Sequence, residues 1–116
     1  MTDFSPGAIV RVPFPYTDRT VRQHRPAMVV SQGGLGDGGA LLWVLMVTSA
    51  ENRRWPGDVS LEDGYAAMGL PAPSLVRTAK IMSIEVRDAE LKGAVPPNKL
   101  IEVRAMMGNH LGWSRA

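Results

Sequence analysis

The sequence predicts a mainly β protein with about five short strands and one C-terminal helix, arranged as a small barrel or a strongly bent sheet. Three observations support this class. Twelve glycines and nine prolines in 116 residues indicate many turns, which favours β structure over a helical bundle. Several short segments are rich in β-branched residues and end at Gly, Pro or Asp. One late segment has the apolar spacing of a helix.

Five segments are predicted as strands, and polar or glycine-rich connections separate them: 7–14, 26–31, 40–48, 58–61 and 74–81. The glycine-rich stretch 32–39 is interpreted as a hairpin connection, because it lacks the lysine of a phosphate-binding loop. Arg77 and Lys80 lie three positions apart in the last strand, so they are expected to point to opposite faces.

The helix is predicted to begin near Pro96 and Pro97 and to end before Gly112. Proline suits a first helical position, and glycine commonly follows a last one. Four apolar residues with helical spacing form the side expected to face the core: Leu100, Val103, Met107 and Leu111.

The length fits one domain over residues 1–116, because two separate cores would each be too small to be stable. The absence of cysteine excludes disulfides, thiolate nucleophiles and zinc fingers, and it suits a reducing cytoplasm. No export signal and no run of about 18 apolar residues is present. We therefore expect a cytoplasmic protein with no membrane partner.

Most familiar catalytic motifs are missing, since the chain has two histidines, no HExxH pair and no phosphate-binding loop. We expect neither a metal site nor a cofactor. Ten of the thirteen basic residues are arginine, a side chain suited to bidentate phosphate contact, which favours an anionic partner. Arginine enrichment also accompanies GC-rich coding, so this signal is weak when taken alone.

Basic and hydroxyl groups at strand ends are the remaining candidates for chemistry. Arg25 precedes Pro26, whose ring favours an extended backbone at Arg25, while Thr48 and Ser49 end the third predicted strand. RNA carries its own nucleophile, the 2′-hydroxyl. A protein then needs only to assist proton transfer and to stabilise charge on the phosphoryl oxygens. An ordinary loop arginine and a strand-ending threonine would show the same pattern.

Two basic loops flank these residues and are candidates for substrate binding. The first loop contributes Arg19, Arg22 and His24, and the second contributes Arg53, Arg54 and Trp55. Basic residues beside an aromatic ring are typical of single-stranded nucleic-acid binding, although solvated loops have the same composition. His24 is a candidate general base because of its near-neutral intrinsic pKa.

Three segments in order resemble the MazF/PemK family of toxin ribonucleases: 7–18, His24 to Ser31 with its Arg-Pro-Ala, and Val47-Thr48-Ser49. Ser74 to Ile81 is similar to the family's S-V-V-R segment, and 91–112 is similar to its closing L-G-x-[LV] segment and helix. The resemblance covers nearly the whole chain, and the first two motifs at this spacing are its most specific part.

The resemblance implies an SH3-like barrel of the type shared with CcdB toxins, a homodimer, and a cognate antitoxin that blocks the RNA groove. It also implies metal-free cleavage of mRNA, a single-stranded RNA, through a 2′,3′-cyclic phosphate with release of a 5′-hydroxyl end. By motif position, Arg25 matches the catalytic arginine and Thr48 the catalytic threonine. Arg77 matches a proton donor or phosphate ligand.

Two departures from the family pattern are visible, Ala8 in place of an acid and Ala79 in place of an aspartate that serves as base in one branch. The general base therefore stays open between His24, Arg25 and a neighbouring carboxylate. A protein-binding toxin of the CcdB type, acting through the C-terminal Gly112-Trp113, is the alternative function. A non-catalytic nucleic-acid-binding relative is a third interpretation.

Overall fold

The computed structural model describes residues 4–13 and 24–113. This part of the chain forms six β-strands: β1 (Ala8–Pro13), β2 (His24–Val29), β3 (Leu41–Ser49), β4 (Asp58–Ser60), β5 (Ser74–Glu85) and β6 (Glu90–Ala94). One α-helix, α1 (Pro97–His110), follows β6. Short 3₁₀ turns occupy Asp37–Gly39, Tyr65–Met68 and Val86–Asp88.

The six strands form one antiparallel sheet in the order β4-β5-β3-β2-β1-β6. Because β2 and β3 are antiparallel neighbours, the beginning of β2 and the end of β3 meet at one end of the sheet. The two strand ends that carried the candidate chemistry are therefore neighbours in the structure.

Alternation along the strands directs apolar side chains to two opposite faces of the sheet. The first face carries the cluster that includes Val10, Ala27 and Met46. The second face carries the cluster that includes Ile9 and Met28. Every one of these five side chains is at most 8% exposed, so both faces are covered.

Helix α1 packs on the second face, and Pro97 occupies its first turn as expected from the fixed φ of proline. Val103 is fully buried at 0% exposure, and Leu100 and Met107 pack against the same cluster. Leu111 lies just beyond the helix and is 59% exposed. Three of the four predicted helix positions thus face the core, and the fourth does not.

Two backbone segments, the connection after β4 and strand β6, approach each other closely at two glycines. A Cβ atom at Gly69 would meet the backbone carbonyl of Lys92, and one at Gly93 would meet that of Met68. Gly69 also has a φ of +84°, which side-chain-bearing residues rarely adopt. The connection that follows β4 at one edge of the sheet therefore lies against β6 at the other edge.

The predicted mainly β fold with a C-terminal helix is confirmed, and the strands differ from the predicted ones at several points, including β2, which begins at His24 and ends at Val29. Strand β6 was not predicted, because Glu90–Ala94 contains no β-branched residue and is held by pairing with β1. Strand β5 runs four residues beyond the predicted end at Ile81. The register of β5 against β3 shifts between Leu45 and Met46. Leu45 pairs with Ile81, whereas Met46 pairs with Arg77.

Candidate functional site

Arg25 and Thr48 lie at the adjoining ends of neighbouring strands. The ladder between β2 and β3 ends with Ala27 opposite Met46, and the same register extended by two residues would place Arg25 opposite Thr48. Directly opposite residues in an antiparallel pair have Cβ atoms about 4.5–5.5 Å apart. Alternation puts both residues on the first face, where Ala27 and Met46 lie. Arg25 is exposed and Thr48 is half-buried, so an external ligand can reach both.

His24 and Ser49 are each one residue away from this pair, so alternation directs them to the second face. His24 lines a cavity of about 300 Å³ together with Arg11, Lys92 and the 69–71 connection. The Ser49 hydroxyl oxygen accepts a hydrogen bond from the backbone N–H of Glu51 at 3.2 Å. The structure thus separates His24 and Ser49 from Arg25 and Thr48 by the thickness of the sheet.

The Thr48 hydroxyl has a partner that the sequence reasoning missed. The side-chain amide of Asn52 donates a hydrogen bond from Nδ2 to Thr48 Oγ1 at 2.6 Å. The only sequence signal for this contact is a short polar residue at the start of a turn, four positions after the threonine.

Arg77 is 7% exposed, and its guanidinium is engaged within the protein. Its Nη2 donates to the backbone carbonyl of Arg53 at 2.6 Å, and its Nε lies 4.0 Å from Asp58 Oδ2. The same Asp58 oxygen accepts a hydrogen bond from the backbone N–H of Trp55 at 2.8 Å. Arg77 therefore holds the connection between β3 and β4 in place, and its guanidinium is not directed at open solvent.

The indole of Trp55 has two cations over its ring, with Arg77 Cζ at 4.0 Å and Lys80 Nζ at 5.7 Å from the ring centroid. The expectation that Arg77 and Lys80 face opposite sides was wrong. The register shift leaves residues 78–80 of β5 unpaired with β3, and such a bulge breaks the alternation of side chains.

The two arginines before Trp55 differ in their contacts. Arg54 Nη2 donates to Glu62 Oε1 at 2.9 Å, and both side chains are largely exposed. The guanidinium of Arg53 is exposed and makes no hydrogen bond or ion pair within the described ranges. Arg53 is therefore the cation of this connection that is available to an anionic ligand.

A second network ties the helix end to the same connection. Thr78 Oγ1 donates to the carbonyl of Gly57 at 2.7 Å, and His110 Nε2 lies 2.9 Å from the same hydroxyl oxygen. Since the hydroxyl hydrogen is used for Gly57, the histidine nitrogen donates in the second bond. His110 thus has a structural part, as its place on the terminal helix predicts.

Two candidates, Arg19 and Arg22, lie outside the described residues. Within residues 4–13 and 24–113, no group of three His, Asp or Glu side chains could hold a metal ion. Nor does the helix found in these ranges have the length and apolar character needed to cross a membrane.

Comparison with solved structures finds the same fold over almost the entire chain. MazF in one MazE–MazF crystal structure from Deinococcus radiodurans is 25% identical, with 98% of this chain and 100% of that chain covered and a TM-score of 0.72. A second such crystal form is 28% identical. The match covers 95% of this chain and 97% of that chain, with a TM-score of 0.71.

A mycobacterial endoribonuclease in complex with its cognate antitoxin is 16% identical. The match covers 97% of this chain and 98% of that one with a TM-score of 0.72, which shows the shared fold. Comparison with curated proteins gives no match. The family model for the PemK-like, MazF-like toxin of type II toxin–antitoxin systems matches residues 5–111, and the chain belongs to this family.

Proposed function

We propose that this protein is an endoribonuclease toxin that cleaves single-stranded mRNA without a metal ion, leaving a 2′,3′-cyclic phosphate and a 5′-hydroxyl end. The observation that carries the proposal is the β2–β3 register, which supports a shared position for Arg25 and Thr48 on one face of the sheet. A guanidinium and a hydroxyl beside one phosphate can stabilise the charge that grows on its oxygens.

The reaction needs one nucleophile, one leaving group and two proton transfers. The 2′-oxygen attacks the adjacent phosphorus as its proton passes to a general base, and the bond from phosphorus to the 5′-oxygen breaks as that oxygen gains a proton. In this proposal Arg25 contacts the phosphoryl oxygens and assists proton transfer, and Thr48 donates a hydrogen bond to one of them. The base stays open between Arg25 and a neighbouring carboxylate, since alternation directs His24 to the other face of the sheet.

The connection between β3 and β4 is proposed to hold the flanking nucleotides. Arg53 offers an exposed cation, and Trp55 offers a partly exposed aromatic ring whose position is fixed by Arg77. Arg54 stays near Glu62 and adds a weaker contact. Arg77 then acts by positioning this connection. The other candidate substrate contacts are Arg19, Arg22, His24 and Ser49.

We further propose a cytoplasmic homodimer that a cognate antitoxin neutralises. Trp43 and Ile81 are diagonal neighbours across β3 and β5 and are 50% and 49% exposed, and such an apolar patch is typical of a surface covered by a protein partner. Light scattering of the purified protein tests the dimer, and a monomer at micromolar concentration contradicts it.

The test of activity is incubation of purified protein with a long single-stranded RNA in EDTA, followed by mapping of the fragment ends. Discrete fragments with 2′,3′-cyclic phosphate ends are expected. Arg25→Ala and Thr48→Ala should abolish them, while Asn98→Ala, at an exposed position in the first turn of α1, should retain cleavage. Cleavage that survives both of the first two substitutions in folded protein overturns the assignment.

One observation favours the alternative of a protein-binding toxin. Trp113 is 72% exposed near the end of the chain, and a large exposed aromatic residue is a typical anchor of protein interfaces. If expression arrests growth with no RNA cleavage, and Trp113→Ala relieves the arrest, the protein-binding function replaces the ribonuclease.

A further inference from the structure

The chain after β3 forms a tight turn that brings Asn52 back to Thr48. The carbonyl of Ser49 accepts a hydrogen bond from the backbone N–H of Asn52 at 3.0 Å, which closes the turn. The backbone N–H of Ala50 donates to the carbonyl of Pro73 at 2.9 Å and fixes the turn to the residue before β5. Held at both points, the turn keeps the Asn52 amide beside the Thr48 hydroxyl.

The direction of the hydrogen bond decides what the Thr48 hydroxyl can do. A hydroxyl has one hydrogen to donate and two lone pairs that accept. Because Asn52 Nδ2 donates to Thr48 Oγ1, the amide occupies a lone pair and leaves the hydroxyl hydrogen unused. The hydroxyl can then donate that hydrogen to another acceptor, and a phosphoryl oxygen is such an acceptor.

We propose that Asn52 is a positioning residue that orients the Thr48 hydroxyl so that its hydrogen points at the scissile phosphate. This inference rests on the proposed ribonuclease function and adds a residue to it. Asn52 acts through Thr48 and does not itself contact the reacting atoms. Its loss should therefore lower kcat and leave KM nearly unchanged.

The variant Asn52→Ala removes the orienting donor. A kcat about five- to tenfold lower is expected, as for the loss of one hydrogen bond that matters in the transition state. Asn98→Ala is the matched control, because Asn98 is an exposed residue at the start of α1 whose side chain makes no hydrogen bond within the described residues. It should keep full activity, and both variants should keep the thermal unfolding midpoint within a few degrees.

The Thr48→Ser background separates positioning from direct contact with RNA. The β-methyl of threonine restricts rotation about χ1, and serine lacks it, so a serine hydroxyl depends more on its hydrogen-bond partner. Asn52→Ala should therefore cost more in the Thr48→Ser background than in the wild type. If Asn52→Ala lowers kcat by the same factor in both backgrounds, or changes KM alone, the proposal is overturned.

The variant Asn52→Asp provides a second test, because the aspartate side chain has almost the same shape as that of asparagine. At neutral pH the carboxylate can only accept, so it takes the Thr48 hydrogen that the phosphate needs. The activity of Asn52→Asp should lie below that of Asn52→Ala at pH 7. Equal or higher activity contradicts the assigned direction of the hydrogen bond.

The outcomes distinguish this inference from the function on which it rests. If the wild type cleaves RNA and Thr48→Ala abolishes cleavage while Asn52→Ala keeps full kcat, only the role of Asn52 fails. If the wild type does not cleave RNA, the ribonuclease proposal fails and the role of Asn52 fails with it.

Discussion

The connection between β3 and β4 is anchored by the ion pair of Arg77 on β5 with Asp58 on β4, and the edge formed by β1 and β6 carries ion pairs of its own, but only the anchoring pair is buried. In the first, Arg77 and Asp58 have side chains that are 8% and 2% exposed, and both also bond the backbone of the connection. In the second, Glu90 lies 3.9 Å from Arg11 and 3.5 Å from Lys92, and these side chains are 40–61% exposed.

This difference determines what each region can contribute. A charge buried with several hydrogen bonds is costly to leave unpaired, so it fixes the position of the chain around it. An exposed ion pair is screened by water and salt and contributes about 0–1 kcal/mol. We conclude that the connection after β3 is a rigid part of the candidate site, whereas the β1–β6 edge is a solvated surface.

Arg77→Ala, which removes the buried cation, should have the strongest effect of these substitutions. The free energy of unfolding should fall by about 3–5 kcal/mol, because Asp58 is left buried without its partner. Chemical denaturation measures this change. Arg11→Ala, which removes an exposed cation, is the control and should cost less than about 1 kcal/mol. Similar losses in both variants would remove the contrast between the two regions.

The next effect is expected at Thr78, whose hydroxyl links Gly57 and His110. Thr78→Val keeps the shape but leaves the Gly57 carbonyl without its donor, so the free energy of unfolding should fall by about 1–3 kcal/mol. Ser83→Ala, on the exposed part of the same strand, should change it by no more than about 0.5 kcal/mol. Thr78→Ser should recover most of the stability, and failure to do so would mean that packing of the methyl group matters more than the hydroxyl.

Loss of Arg53, the exposed cation of the connection between β3 and β4, should have a smaller effect, and it should fall on RNA affinity. Arg53→Ala should weaken binding to single-stranded RNA at low salt and reduce the slope of log affinity against log salt by about 0.7–1, as for one lost phosphate contact. Fluorescence anisotropy at several salt concentrations measures both. Lys92→Ala provides the comparison at the β1–β6 edge. An equal loss of RNA affinity in this variant would mean that RNA also contacts the second face.

The smallest effect is expected from Glu90→Gln, which leaves Arg11 and Lys92 without their shared carboxylate. The free energy of unfolding should change by less than about 1 kcal/mol, and the change should shrink further in high salt. Denaturation at two salt concentrations measures it. A loss comparable to that of Arg77→Ala would show that exposure does not distinguish the two regions.

Local patterns in the sequence were enough for most of the secondary structure. Short apolar segments bounded by turn residues predicted five of the six strands, and helical spacing with proline at the start predicted α1, because these patterns reflect local backbone geometry. The motif residues also led to Arg25 and Thr48, since each follows a recognisable segment of the chain.

Contacts between residues that are distant along the chain depend on the folded arrangement. Strand β6 exists because β1 pairs with it, and Lys80 joins Arg77 over Trp55 because a bulge shifts the register of β5. The burial of Arg77 and the hydrogen bond from Asn52 depend on turns and pairings between separate parts of the chain. Such contacts have no local period, so composition and spacing cannot reveal them.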